Sequence, residues 1–368
     1  IWPSPKLIKY FGYPWPTDPQ KFRRLVAEKH RHGIKVVPYS CLTFLSEASP
    51  EWKFFGPAWH VTGYADRRSA DVGRYGCAFM TVCPAAEGWA DFAVWANRRY
   101  VETFNLDGLY HDNTFPYPCY NPIHGCGWRD QTGAVHRVYP IFAHRRLYRR
   151  IYAMMKSLGR ETYMIAHMSG RVTMPVLSFV DAYLDGEQFR AGGHHVTDYR
   201  DVLTVDYFRA EFMGKQWGIM PVFLPELARQ ARDRRGTRTL LAFTLLHDVP
   251  VWAIWCSREA VDEVRRVLDK FGYVSAKFFG YWQGACETSD SQVKASAYLR
   301  DGRALLVVSN FARQDRTVSL RPNWKLLGLH PKGLRAADAE TGQQICAPGE
   351  RIRLTIPQGD LRLVLLTK

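Results

Sequence analysis

The chain has 368 residues, 46% of them apolar and 23% charged, with 50 Lys and Arg against 35 Asp and Glu for a formal net charge of +15. This is the composition of an ordinary folded protein with a sizeable core, and no run of about 18 apolar residues is present to form a membrane helix. The basic excess reads either as Arg-rich codon usage or as attraction to a polyanion such as a sulfated or uronic glycan; the basic residues are spread along helices and no nucleic-acid motif occurs, which argues against nucleic acid.

Short apolar runs alternate with helical periodicity from the start. Leu7–Gly12 reads as a first strand. Thr17-Asp18-Pro19 then caps a helix that carries Phe22, Leu25 and Val26 inward and stops at Gly33. Ile34–Tyr39 is a second strand, continuous and β-branched as a parallel strand buried on both faces should be. The stretch from Cys41 to Tyr75 is long and aromatic, as functional loops often are. Strand three is predicted at Cys77–Cys83, a helix at Trp89–Phe104 and strand four at Leu106–Asp112. A second long loop covers 113–138, followed by a helix at Tyr139–Leu158 and strands at Thr162–His167 and Phe179–Glu187. The barrel pattern closes with a helix at Tyr199–Lys215, a strand at Ile219–Leu224, a helix at Thr237–Leu246, a strand at Val249–Trp255 and a helix at Arg258–Lys270.

Eight strands alternating with helices in about 270 residues predict a (β/α)8 TIM barrel over 1–272. No Gly-x-Gly-x-x-Gly follows the first strand, which removes a dinucleotide fold. From Tyr273 onward, short β-branched strands joined by turns such as Arg300-Asp301-Gly302 predict a small antiparallel β-sandwich over 273–368.

The chemistry is expected at the C-terminal ends of the strands, where barrels carry their sites. Strand four ends in His111-Asp112-Asn113. Strand five ends at His167, and strand six carries Asp185 and Glu187, which at a spacing of two would share one face and point into the mouth. Unpaired carboxylates under the helix layer would be costly, although an ion pair with Arg190 is the competing structural explanation. Glu226 follows strand seven, and Trp252 and Trp255 end strand eight as part core and part sugar platform, since aromatic faces suit sugar rings. Trp59, His60 and His194 are further wall candidates, with simple loop packing the alternative for the first two. Asp107 reads as a turn residue, and Asp206 and Glu211 as ordinary helix charges. No Gly-x-Ser-x-Gly, P-loop or His-Glu-x-x-His motif occurs.

The eight cysteines form no metal pattern by spacing. Cys119 and Cys126 flank a Pro- and Gly-rich loop and are placed for a disulfide. A zinc site using His124 between them lacks a fourth ligand, so neither metal nor cofactor is expected.

Five segments, Pro116–Cys126, Ala166–Gly170, Tyr183–Gln188, Phe212–Trp217 and Leu246–Trp252, resemble barrel proteins similar to glycoside hydrolase family 123. The resemblance implies a glycosidase, in that family an N-acetyl-β-galactosaminidase using an adjacent Asp-Glu pair and the substrate's own acetamido group. Here Asp112 is flanked by His111 and Asn113 instead. The expected chemistry is therefore retaining hydrolysis, with Asp112 as nucleophile, Glu187 as acid/base and Asp185 supporting or replacing it. The carboxyls would then lie about 5–5.5 Å apart, and the long loops point to an exo-acting pocket. A substrate-assisted hexosaminidase and a non-catalytic carbohydrate-binding or surface protein are the alternatives. Secretion or a periplasmic location is expected for a polysaccharide-degrading enzyme.

Overall fold

The structure, a computed structural model, describes residues 8–10, 12–63, 78–190, 195–212, 218–346 and 351–368. It contains two compact units, Ile1–Leu184 with Gly218–Met220, and Asp185–Trp217 with Pro221–Lys368.

In the first unit a short antiparallel pair, β1 (Ile8–Tyr10) and β2 (Tyr13–Pro16), leads into helix α1 (Pro19–Arg31). Asp18 caps α1 by accepting the Lys21 N–H at 2.9 Å. The helix buries Phe22 against Tyr100 and Phe104 of helix α3 (Glu87–Phe104). Strand β3 (Tyr39–Cys41) runs parallel to β6 (Gly108–Asp112), with Tyr39 opposite Tyr110. Strand β6 runs parallel to β7 (Tyr163–His167), and β7 to β8 (Ala182–Asp185). Pro38 removes a ladder donor, so the predicted second strand registers as a strand only from Tyr39. Its earlier part still bonds to the neighbour through Val36 O, which accepts the Asp107 N–H. Met220, first residue of strand β9 (Met220–Phe223), donates to Asp181 O.

One sequence expectation is corrected in this unit. The Cys77–Cys83 segment is not a strand of the parallel sheet: β5 (Phe79–Thr81) pairs antiparallel with β4 (Phe44–Ser46), a partner distant in the chain that lies in the long stretch after β3. Among the described residues, no ring of eight hydrogen-bonded strands is closed. The predicted eighth strand appears as a single parallel bridge, Phe223 to Val251.

In the layer between this sheet and helix α4 (Ile141–Lys156), two histidines lie among largely apolar side chains. His111 of β6 and His144 of α4 are fully buried, and both sandwich Tyr148. None of their four ring nitrogens has a hydrogen-bond partner. Burial pushes His144 down to about 3, and burial together with His144 does the same to His111. Because the folded values lie below the ordinary 6.5, both residues contribute stability above pH 6.5 that is lost as pH falls toward 3. Each contributes a slope of about 1.4 kcal/mol per pH unit in that window. Urea unfolding at pH 7, 6 and 5 is therefore expected to show a steep fall in stability. His144→Phe, which keeps a ring on Tyr148, should flatten it; an unchanged slope in that variant would refute the assignment.

In the second unit, helix α5 (Val205–Glu211), capped by Thr204, packs Phe208 into a cluster with Phe189, Phe212, Phe223 and Phe243. Helices α6 (Arg234–Leu246) and α7 (Arg258–Phe271) cover one face of a six-stranded antiparallel sheet. Its central strands are β12 (Val293–Arg300), β13 (Arg303–Asn310) and β18 (Leu361–Thr367). Along β13 the period of two is complete: Leu305 and Val307 face the helices, while Ala304, Leu306 and Val308 face a three-stranded sheet containing Val318, Leu320 and Leu354. Buried Arg238 of α6 ties helix and sheet together through Glu340 (2.7 Å) and Asp360 (2.6 Å).

Candidate functional site

Asp112 ends β6, where alternation turns its carboxylate away from the helix layer that His111 enters. It accepts hydrogen bonds from Tyr39 Oη (2.8 Å) and the Asn113 N–H (2.7 Å), and its other contact is His167 Nδ1 at 3.0 Å. Burial alone would raise its pKa. Hydrogen bonding to His167 and that ring's charge, the Tyr39 hydroxyl and the Asn113 N–H outweigh burial, so Asp112 is held below the ordinary carboxylate value and ionised. His167 is itself fixed: Tyr110 Oη lies 2.7 Å from Nδ1 and Ser169 Oγ lies 2.5 Å from Nε2. Burial and the neighbouring Asp112 charge push the Tyr39 hydroxyl well above its ordinary value, so it remains a donor. Asn113 turns the chain at φ +53°, and its carbonyl accepts Thr43 Oγ1 at 2.9 Å. Asp112, Asn113 and His167 thus gather at the C-terminal ends of neighbouring parallel strands. His111 does not join them; its place in the sheet–helix layer corrects the expectation that it binds substrate.

The second set of carboxylates lies at the end of β8. Asp185 is fully buried, and Oδ1 accepts the Gly186 N–H at 2.9 Å. Gly186 has φ +148°, and a Cβ there would meet Leu224 O at 2.1 Å, so the turn admits only glycine. This turn ends the strand before Glu187, which begins a one-turn 3-10 segment. The expected alternation therefore fails: Asp185 is buried, whereas Glu187 is half-buried and sets its charge toward Arg190. The partner of Asp185 is Glu211, the last residue of α5. Burial, then the hydrogen bond and charge of Asp185, raise Glu211 to about 8. Gln188 links the Gly186 turn to Glu211, accepting the Gly186 N–H at 3.0 Å and donating to Glu211 Oε1 at 3.4 Å. Two carboxyls in such contact carry one proton between them. The reading of Glu211 as a solvated helix charge is corrected: the residue sits at the end of a short helix whose first turn packs on Phe189 and Phe223, so its side chain reaches the strand end rather than water.

Glu226 is fully buried and held bidentately by Arg190, at 2.7 and 2.8 Å, with His195 Nδ1 at 3.0 Å. Arg190, foreseen as a partner for the strand-six acids, takes Glu226 instead. His195 also packs edge-on against Trp255, which Arg232 covers at 5.0 Å. Trp252 is half-buried, its backbone N–H donating to Phe223 O. His194 lies outside the described residues. Trp59 is buried among Phe55, Trp89 and Phe92, so it packs the long loop down and is not a substrate wall. His60 ends the same helix, α2 (Trp52–Trp59), half-buried and edge-on to Trp52.

The sequence reading missed Tyr39, Tyr110 and Glu211. A tyrosine at the end of a β-branched strand, one place before Ser40-Cys41, was the available signal for the first. For Glu211 the signal was its position directly before the Phe212–Trp217 motif.

Cys119 and Cys126, for which a disulfide was one option, are both free thiols and lie together with Cys83 and His124.

Residues 260–363 match the family model described as glycoside hydrolase 123, C-terminal domain. No curated protein matches the chain. Solved structures similar to it include a noncanonic maltogenic α-amylase from Thermotoga neapolitana (TM-score 0.61, 13% identity, 94% of this chain and 80% of that one). An α-amylase from Geobacillus thermoleovorans has TM-score 0.63 and 9% identity over 95% of this chain and 81% of that one. A family 27 β-L-arabinopyranosidase from Geobacillus stearothermophilus has 0.59 and 12% over 94% and 77%. The chain is thus glycoside-hydrolase-like in fold, sharing with these proteins a parallel-sheet half followed by a C-terminal sheet domain.

Proposed function

We propose that the protein is a glycoside hydrolase built on a (β/α)8 barrel, acting with retention on an oligo- or polysaccharide. The observation that carries this reading is the opposite protonation of its two carboxyl sets. Asp112 is held ionised, and the Asp185–Glu211 pair keeps a proton to about pH 8. Environments that push carboxyl pKa values apart are the usual mark of an acid and a nucleophile. The family match over 260–363 and the fold shared with amylases and an arabinopyranosidase support the same class.

In this reading an Asp112 oxygen bonds to the anomeric carbon as the glycosidic C–O bond breaks. The departing oxygen takes the proton of Glu211, with Asp185 holding that proton in place. The resulting carboxylate then deprotonates a water, which cleaves the glycosyl ester and returns Asp112. Glu187 is the competing acid, and the variants argued below separate the two. The net charge of +15 supports an anionic glycan as substrate.

A screen of α- and β-aryl glycosides, N-acetylhexosaminides, and sulfated and uronic polysaccharides tests the class, with NMR of the first anomer released. Turnover with retention is expected. Binding of glycans without any turnover would replace this reading with a carbohydrate-binding protein. The family match favours one second reading, in which the substrate's acetamido group attacks and Asp112 steadies the oxazoline. Strong inhibition by a thiazoline analogue would decide for it.

A further inference from the structure

We propose that Cys83, Cys119, His124 and Cys126 hold one zinc ion in a closed site that staples the segment after β5 to the long loop after β6 in the first unit. The four ligand atoms all lie within 4.8 Å of one another. Cys83 Sγ is 3.8 Å from Cys126 Sγ, and Cys119 Sγ is 3.2 Å from His124 Nε2. A tetrahedron with zinc–sulfur bonds of about 2.3 Å has sulfur–sulfur edges of about 3.8 Å. A disulfide needs about 2.05 Å, so the sulfurs stand at ligand spacing and not at bonding distance.

The surroundings orient each donor. His124 Nδ1 lies 3.1 Å from Ala58 O, an arrangement in which Nδ1–H donates to that carbonyl and leaves the Nε2 lone pair toward the thiols. The Asn121 N–H donates to Cys119 Sγ at 3.4 Å, as second-layer amides do to metal-bound thiolates. The Asn121 side chain holds the turn by donating to Pro57 O (3.2 Å) and His60 O (3.0 Å) while accepting the Ile123 N–H (3.0 Å). Gly125, at φ +72°, reverses the chain between His124 and Cys126. All three thiols are buried.

Three thiolates and one imidazole, all from protein, fill a tetrahedron and leave no position for water or substrate. Such a donor set is structural and selects zinc. Binding releases three thiol protons and leaves the site with one net negative charge. Cys83 comes from the segment after β5, and the other three from the loop after β6, so the ion joins segments that have little regular secondary structure of their own. The missing fourth ligand of the sequence reading is Cys83, which spacing alone does not reveal because it lies far from the Cys119-x4-His124-x-Cys126 group.

The test is the metal content of full-length protein purified without added metal and without a metal-binding tag. One zinc per chain is expected, released by an organomercurial in step with thiol modification. X-ray absorption should show three sulfurs and one nitrogen, and cobalt exchange should give an intense tetrahedral thiolate spectrum. Cys83→Ser and His124→Ala should lose stoichiometric zinc and melt earlier, while Cys256→Ser, outside the cluster, should keep both. Folded protein that contains no zinc and takes none up in equilibrium dialysis would overturn the proposal, as would mass mapping of a disulfide among the three cysteines. If the cluster variants aggregate, the zinc content and cobalt spectrum of the unaltered protein still decide.

Discussion

Asp112→Asn is expected to lower kcat/KM on any accepted glycoside by on the order of 10^4-fold or more, the scale seen when a covalent nucleophile or its essential partner is removed. The substitution is nearly isosteric: its one oxygen can keep the Asn113 N–H bond made by Oδ1, while its amide group can donate to Tyr39 Oη in place of Oδ2, so the fold should persist; unfolding by urea checks this. An external nucleophile such as azide should restore part of the activity by forming a glycosyl azide of the opposite anomer. Tyr39→Phe tests the electrostatics separately. It removes a donor that favours the carboxylate, so the acidic limb of the pH–kcat/KM profile should move to higher pH while the alkaline limb stays. If Asp112→Asn leaves turnover unchanged, Asp112 is a structural anion for His167 and the catalytic assignment falls.

How much of this was legible beforehand follows from which forces act locally. Asp18 as a cap, the helix α3 and the short strands of the C-terminal sheets are dictated by neighbouring residues, and the sequence patterns located them. Asp112, Asn113 and His167 were also foreseen together, because a parallel strand must end in polar residues where it leaves the core. The failures come from positions governed by partners distant in the chain. Phe79–Thr81 has strand character, but only its pairing with Phe44–Ser46 decides that the pair is antiparallel. Glu187 followed Asp185 in a pattern of two until Gly186 broke the strand. His111 has the composition of a site residue, yet its facing follows from Asp112 beside it, since adjacent strand residues cannot both point to one mouth. Cys83 and Glu211 gain their chemistry from groups that no local pattern connects to them.

Glu211→Gln is expected to lower kcat/KM on natural glycosides by roughly 10^2–10^4-fold, the range for loss of a general acid. The loss should shrink sharply on a dinitrophenyl glycoside, whose leaving group departs without a proton. Glu187→Gln is the control: if Glu187 is the acid, it and not Glu211 shows that dependence on the leaving group. The pH profile adds an independent reading. A group that must be protonated to work, with its pKa raised to about 8, keeps activity below that value and loses it as pH rises through it. The alkaline limb of kcat/KM should therefore fall near pH 8. Asp185→Asn removes the negative charge that resists ionisation of Glu211 and leaves an amide able to donate to it. Both changes favour the Glu211 carboxylate, so the alkaline limb should move toward lower pH while Asp112, and with it the acidic limb, is unaffected. The profile would narrow from its alkaline side alone. An unmoved alkaline limb in Asp185→Asn would mean that Asp185 does not set the Glu211 proton, and the acid would have to be sought at Glu187.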